Sequence, residues 1–226
     1  IGCNNAAKMS SFDLILYAHD DMYFCPNWDQ ILLNEVKKIK TKLFYLSGIM
    51  INADPKVKGH LNFFSGHNTE TFDEKKLLKN YKELKHYDFQ GSTWAPHLIH
   101  KDTWNKVGGL SEEFSPGTGS DPDLCMKLWK LGVRIFKGMG NSKVYHFGSI
   151  VTRQKENSYQ TITETGSRGN KIFLEKWGIS VKFFKKYYLQ TDTIYCGPLE
   201  EPKKNFFYFM DLIKVKLVLF YSLIFK

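Results

Sequence analysis

Three short stretches of this 226-residue chain carry side chains whose types and spacing can do chemistry. The first is His19-Asp20-Asp21, which follows directly on the apolar run of residues 12–18, FDLILYA. Two carboxylates and an imidazole where a strand ends can hold a hard divalent cation and leave coordination positions for a diphosphate. An aspartate pair that only caps the following turn is the alternative reading. The second is Gly119-Ser120-Asp121-Pro122-Asp123-Leu124, a carboxylate at the start of a helix beneath a glycine-bearing loop. Aspartate before proline is a common helix start, and the helix dipole is expected to lower the carboxylate pKa by favouring the anion. An ionised carboxylate is also what a general base needs. The third is His146, at the end of a short strand; on spacing alone a lone histidine there is more often a satisfied structural residue.

These side chains need elements to hold them. Residues 12–18 read as a strand buried on both faces. Pro26 and Asn27 open a helix whose Ile31, Leu32, Val36 and Ile39 form an apolar stripe, and residues 43–50 are the next strand. Residues 52–71 are irregular, with two histidines, His60 and His67, read as surface. Asp73 caps a helix with Leu77, Leu78, Tyr81 and Leu84 on one face. Residues 91–100 read as strand and 101–107 as a short helix closed by Gly108. Asp121 at the cap and Pro122 in the first turn start a helix that Gly132 ends. Residues 133–136 and 143–147 read as two short strands. Strands alternating with helices at these intervals predict an α/β fold with a mixed sheet and helices on both faces, with the chemistry at strand ends.

Composition excludes several classes. With 42% apolar residues the chain can build a packed core, so a disordered tail is excluded. The net charge of +9 comes from 32 basic residues against 23 acidic ones, yet only Arg134, Arg153 and Arg168 are arginines. Base and phosphate readers lean on the bidentate guanidinium, so scattered lysines argue for no nucleic-acid partner and for an anionic membrane surface instead. The four cysteines form no CxxC pair, which fits a reducing compartment.

In order and surroundings these motifs resemble family 2 inverting glycosyltransferases of the GT-A fold, over about residues 1–180. Asn4-Asn5-Ala6-Ala7 followed by FDLILYAHDDMYFCPNWD resembles the strand that runs into the family's DxD-type motif. GSTWAPHLIHKDTWNKVGGLSEEFSPGTGSDPDLCMKLWKLGVRIF resembles its acceptor-side block, VYHFGS its metal-binding histidine, and FLEKWG a frequent late element. The resemblance implies a GT-A-like (Rossmann-like) domain over residues 1–192, incomplete at its N-terminus, because the DxD-type motif lies only about 20 residues in. A sheet edge would then be left unpaired. It also implies Asp21 and His146 as ligands of Mn2+ or Mg2+, Asp20 close to the donor's ribose and diphosphate, and Asp121 as the base. Trp94 and Asp123 become acceptor-side residues. Arg168 or Lys171, in a loop over residues 166–171, would close over the diphosphate; a merely mobile loop is the alternative. His19 replaces the family's usual first acidic residue, and Ser120 its usual glutamate. No QxxRW element follows, which points to members that add one sugar.

Residues 193–204 read as a linker, and residues 205–226 as an amphipathic helix. Its apolar run is broken by Asp211, Lys214 and Lys216 and is too short to span a bilayer, so it is expected to lie on the cytoplasmic face of a membrane or to dock on the domain. The sequence-level expectation is therefore a peripheral, metal-dependent transferase moving one sugar from a nucleotide-sugar donor to a glycan or lipid-linked acceptor. The alternative is a non-catalytic GT-A-like module that binds carbohydrate or a partner.

Overall fold

The structure, a computed structural model, describes residues 2–53, 59–115, 118–148 and 158–224, with the side chains of 158–167 outside that set. The chain folds as α/β around a mixed sheet. Its centre is β3 (Phe44–Asn52), in which all nine positions are buried, as a nearly unbroken apolar run requires. Parallel to it lies β7 (Ile135–His146), from Phe44 opposite Ile135 to Asn52 opposite His146. Antiparallel to β3 on its other side is β6 (His97–His100), followed by β1 (Leu14–Tyr17). The far side of β7 carries β2 (Met22–Phe24), also antiparallel. Two-residue strands β4 (Leu61–Asn62) and β5 (Phe89–Gln90) add to β3 and β7 respectively.

Alternation along the strands divides the core. Phe44, Leu46 and Leu98 pack with Leu32 of α2 (Trp28–Val36). Tyr45, Ile99 and Phe136 pack against the opposite layer, made by α4 (Lys101–Val107), α5 (Ser120–Leu131), α6 (Ser158–Trp177) and α7 (Val181–Phe184). α1 (Gly2–Met9) precedes the sheet, and α3 (Glu74–Asn80) sets Leu77 and the following Tyr81 against Ile51 and Tyr145. Asp73 caps α3 as expected, its Oδ1 accepting from Lys76 N at 2.9 Å.

Four local expectations are corrected. The first strand is not buried on both faces: among the described residues β1 pairs only with β6, and Leu16 is exposed. The two short strands near residues 133–147 are one twelve-residue strand. It stays continuous because β7 advances from Gly138 to Lys143 while β3 advances from Ser47 to Ile49, so the extra residues are absorbed as an irregularity. Asp121 is not the cap of α5. Gly119, at φ 94°, takes that place without a side-chain cap, which puts Asp121 inside the first turn with its carboxylate available for other work. Residues 166–171 are not a loop but part of α6. Arg168 there donates to Ser115 O at 2.9 Å, and Lys171 faces Glu175 at 4.0 Å.

Asp123 is also corrected as an acceptor-side residue. Its side chain is fully buried, its Oδ2 accepting from Ser111 Oγ at 2.6 Å and its Oδ1 from Trp177 Nε1 at 2.8 Å. Lys176 Nζ closes the set at 2.9 Å. It ties α5 to α6 and leaves no face for a ligand. The turn that leads into α5 meets α6 at Gly169, where a Cβ would stand 2.0 Å from Thr118 O.

The tail forms α8 (Phe206–Ile224), which docks on the domain, one of the two arrangements expected of it. Tyr208, Leu212 and Val215 dock on the domain. Asp211 on the same side accepts from Lys186 at 2.7 Å and Tyr187 at 2.8 Å, and Lys216 donates to Gly178 O from an exposed position, while Lys214 stays in water. Phe207, Phe209, Ile213, Leu217 and Phe220 are left exposed. No helix among the described residues is long and apolar enough to cross a membrane.

Removing this buried carboxylate strands the Trp177 indole N–H and the Ser111 hydroxyl and costs Lys176 its buried partner, leaving it Glu113 at 2.7 Å. Asp123→Ala is therefore expected to lower stability by about 3 kcal/mol in urea unfolding, whereas Lys171→Ala should change it by less than about 0.5 kcal/mol.

Candidate functional site

The site arises from a crossover. β1 ends at Tyr17 on one side of the sheet, and β2 begins at Met22 on the other. His19, Asp20 and Asp21 therefore span the sheet at the carboxyl ends of β3 and β7, where an open α/β sheet leaves a crevice. Met22 lies opposite His146, so the preceding Asp21 is delivered to the end of β7, and Phe147 N donates to Asp21 O at 3.0 Å.

The side chains converge there. His146 Nε2 stands 3.2 Å from Asp21 Oδ2. With His19 added, the three residues each offer one ligand atom within 4.8 Å of the others. Two imidazole nitrogens and a carboxylate oxygen make a donor set that fits a divalent cation. Burial holds the His19 pKa below its ordinary value, which leaves a neutral imidazole with a lone pair to give. Asp20 is exposed at the turn while Asp21 is turned in, so the aspartate pair is not simply a cap.

Behind His146 stand two residues that the sequence did not single out for function. Asn52 Oδ1 lies 3.2 Å from His146 Nδ1, and Asn52 Nδ2 contacts His60 Nδ1. His60 is thus corrected from a surface residue to a half-buried one. Its pKa is pushed down to about 4, first by burial and then by His146. Being neutral, it accepts from the Asn52 amide, which turns the Asn52 oxygen toward His146.

Asp121 reaches the same end of the sheet from α5, and its charge is felt by Tyr17, whose ring lies 5.5 Å from that of His19. Its Oδ1 is buried with no hydrogen-bond partner. Burial raises its pKa to about 7, opposed by the nearby Lys185. The expected lowering by the helix dipole is therefore corrected: α5 offers a half-charge at most, and loss of water at an unpartnered carboxylate oxygen outweighs it. Lys185 Nζ sits 4.6 Å from the centre of the Trp94 ring, and His60 meets that ring edge-on at 5.7 Å. Trp94 is exposed, so an apolar platform stands between the imidazole cluster and the Asp121 side. Lys185 also lines a cavity of about 700 Å3 with Asn170, Lys182, Gln190 and Asp192.

No family model matches the chain, and no curated protein does. The chemistry of the site is therefore read from its geometry alone. Asp21, His146, Asp121 and Trp94 are brought to one end of the sheet, whereas Asp123 is spent inside the core and Arg168 and Lys171 are engaged along α6. Tyr17, Asn52, His60 and Lys185 are the residues that sequence reasoning missed. Only Tyr17, two positions before His19, carried a local signal.

A carboxyl whose folded pKa is raised holds its proton more tightly than in the unfolded chain. Stability then falls as pH rises from about 4 to about 7. Asp121→Asn is expected to remove that slope: more stable than the parent by on the order of 4 kcal/mol at pH 8 and close to it at pH 4, read from urea midpoints.

Proposed function

We propose that the chain is a metal-dependent inverting glycosyltransferase with a GT-A-like domain, transferring one sugar from a nucleotide-sugar donor to a glycan or lipid-linked acceptor. The observation that carries this reading is the pairing, at one end of one sheet, of an imidazole–carboxylate cation site with a separate carboxyl whose Oδ1 has no hydrogen-bond partner. A bound divalent cation, Mn2+ or Mg2+, supplies charge stabilisation for a departing diphosphate. Asp21 and His146 would hold it, and Asp20, exposed beside them, is placed for the donor's ribose.

Asp121 is the base. Its half-buried position and its pKa of about 7 keep it able to take the proton of an attacking hydroxyl near neutral pH, at the end of the crevice reached from α5. Trp94 offers an exposed aromatic face on which a sugar ring can stack, held in place by Lys185 and His60. The cavity beside Lys185 gives an acceptor room on that side. Attack from the Asp121 side with departure on the cation side inverts the anomeric carbon.

α8 supports a membrane partner. Asp211 is engaged by the domain, Lys214 stays exposed, and the phenylalanines face outward, an arrangement suited to burying an apolar surface beside a basic group in the lipid interface. The parent chain is expected to float with liposomes containing anionic lipid, and Phe207→Gln/Leu217→Gln/Phe220→Gln to reduce the bound fraction at least about tenfold with circular dichroism unchanged.

Hydrolysis or transfer of a nucleotide sugar in the presence of Mn2+ or Mg2+ tests the enzymatic reading. EDTA and Asp21→Ala should abolish turnover, and Asp121→Asn should lower kcat by about a thousandfold, with parent activity rising with pH through about 7. Glycan binding without turnover in any metal would instead make the chain a non-catalytic carbohydrate-binding module.

A further inference from the structure

We propose that His19, Asp21 and His146 form a three-ligand site for a first-row transition ion such as Mn2+, built to discriminate against Mg2+. This deepens the proposed function by naming the ion, and rests on that reading only in taking the crevice to be a cation site.

The first support is the donor set. Mg2+ takes oxygen ligands and sheds water reluctantly, whereas imidazole nitrogen suits the transition metals. Of the three atoms offered here, two are nitrogens, because a histidine stands at position 19 and another ends β7. Three protein ligands leave the remaining coordination positions to ligand oxygens or water.

Spacing is the second support. Neighbouring ligands at bond lengths near 2.1 Å lie roughly 3 Å apart when they meet at a right angle. The Asp21 Oδ2 to His146 Nε2 separation of 3.2 Å already matches, and the His19 nitrogen lies within 4.8 Å of both.

The third is the support behind the ligands, which a plain histidine–aspartate ion pair does not need. His146 Nδ1 is satisfied by Asn52 Oδ1, which fixes the proton on Nδ1 and presents Nε2 as a lone pair toward Asp21. The Asn52 amide is fixed in turn by His60. Because Asn52 is opposite His146 in the β3–β7 register, this orientation is built into the sheet. Residues that orient a metal-bound histidine in this way belong to the metal site as much as the ligands do.

The test uses the whole chain, stripped with EDTA and dialysed, titrated with Mn2+ while the electron paramagnetic resonance signal of free Mn2+ is followed. One Mn2+ per chain is expected, displaced by Mg2+ only at concentrations at least about thirtyfold higher. His19→Ala should weaken Mn2+ binding at least about tenfold, and Asn52→Ala about tenfold to a hundredfold, while His67→Ala, at an exposed histidine, changes nothing. His19→Asp serves as the second variant: it should keep a bound cation but reduce the Mn2+ over Mg2+ preference at least about tenfold. Thermal unfolding in EDTA checks that each variant is folded. Equal affinity for Mg2+ and Mn2+, or unchanged Mn2+ binding in His19→Ala, overturns the proposal. Mn2+ binding with no nucleotide-sugar turnover would overturn the transferase reading and leave this site standing; turnover with Mn2+ binding indifferent to position 19 would do the reverse.

Discussion

The parallel pairing of β3 with β7 is the constraint on which the site depends. Along most of their length it is ordinary packing: every β3 side chain is buried, and Phe44, Tyr45 and Leu46 lie opposite Ile135, Phe136 and Lys137. At the carboxyl end it places Asn52 beside His146, and β2 then hangs Asp21 from the same strand. One register therefore sets His146, the asparagine that orients it and its carboxylate neighbour. A slip of one residue would turn each of them to the other face.

A second constraint is the cost of keeping a carboxyl oxygen of Asp121 without a partner. A buried carboxyl oxygen with no hydrogen bond is unfavourable, and the fold tolerates it because the first turn of α5 is fixed from elsewhere. Asp123, two residues on, binds α5 to α6 through Ser111, Trp177 and Lys176, and the contact of Gly169 with Thr118 holds the turn before α5 close to α6. Two aspartates in one helical turn thus carry opposite burdens. One is saturated and ties the scaffold together; the other keeps a buried oxygen without a partner.

The tail shows how side-chain pattern alone can mislead. Asp211, Lys214 and Lys216 interrupt an apolar run, and the natural reading sends them to water. In the fold Lys214 does face water, but Asp211 meets Lys186 and Tyr187 and Lys216 reaches the end of α6 at Gly178, so ion pairs join Tyr208, Leu212 and Val215 in docking the helix while phenylalanines are displayed. Periodicity reports that a helix has two faces, but not which of them finds a partner.

Much of the scaffold was legible in the sequence. The apolar run of β3, the Asp73 cap, the glycines that end α4 and α5 and the alternation of strand with helix all act through neighbours a few residues away, so local chemistry determines them. His19, Asp21, Asp121 and His146 were legible as chemistry-bearing groups at element ends for the same reason. What only the tertiary structure decided is which groups share a space and how much water they lose. Asn52 and His60 look like loop residues until β3 and β7 align, Lys185 is one lysine among many until it covers Trp94, and the Asp121 pKa changes direction once burial outweighs the helix dipole. Those outcomes depend on long-range packing and desolvation, which no window of neighbouring residues contains.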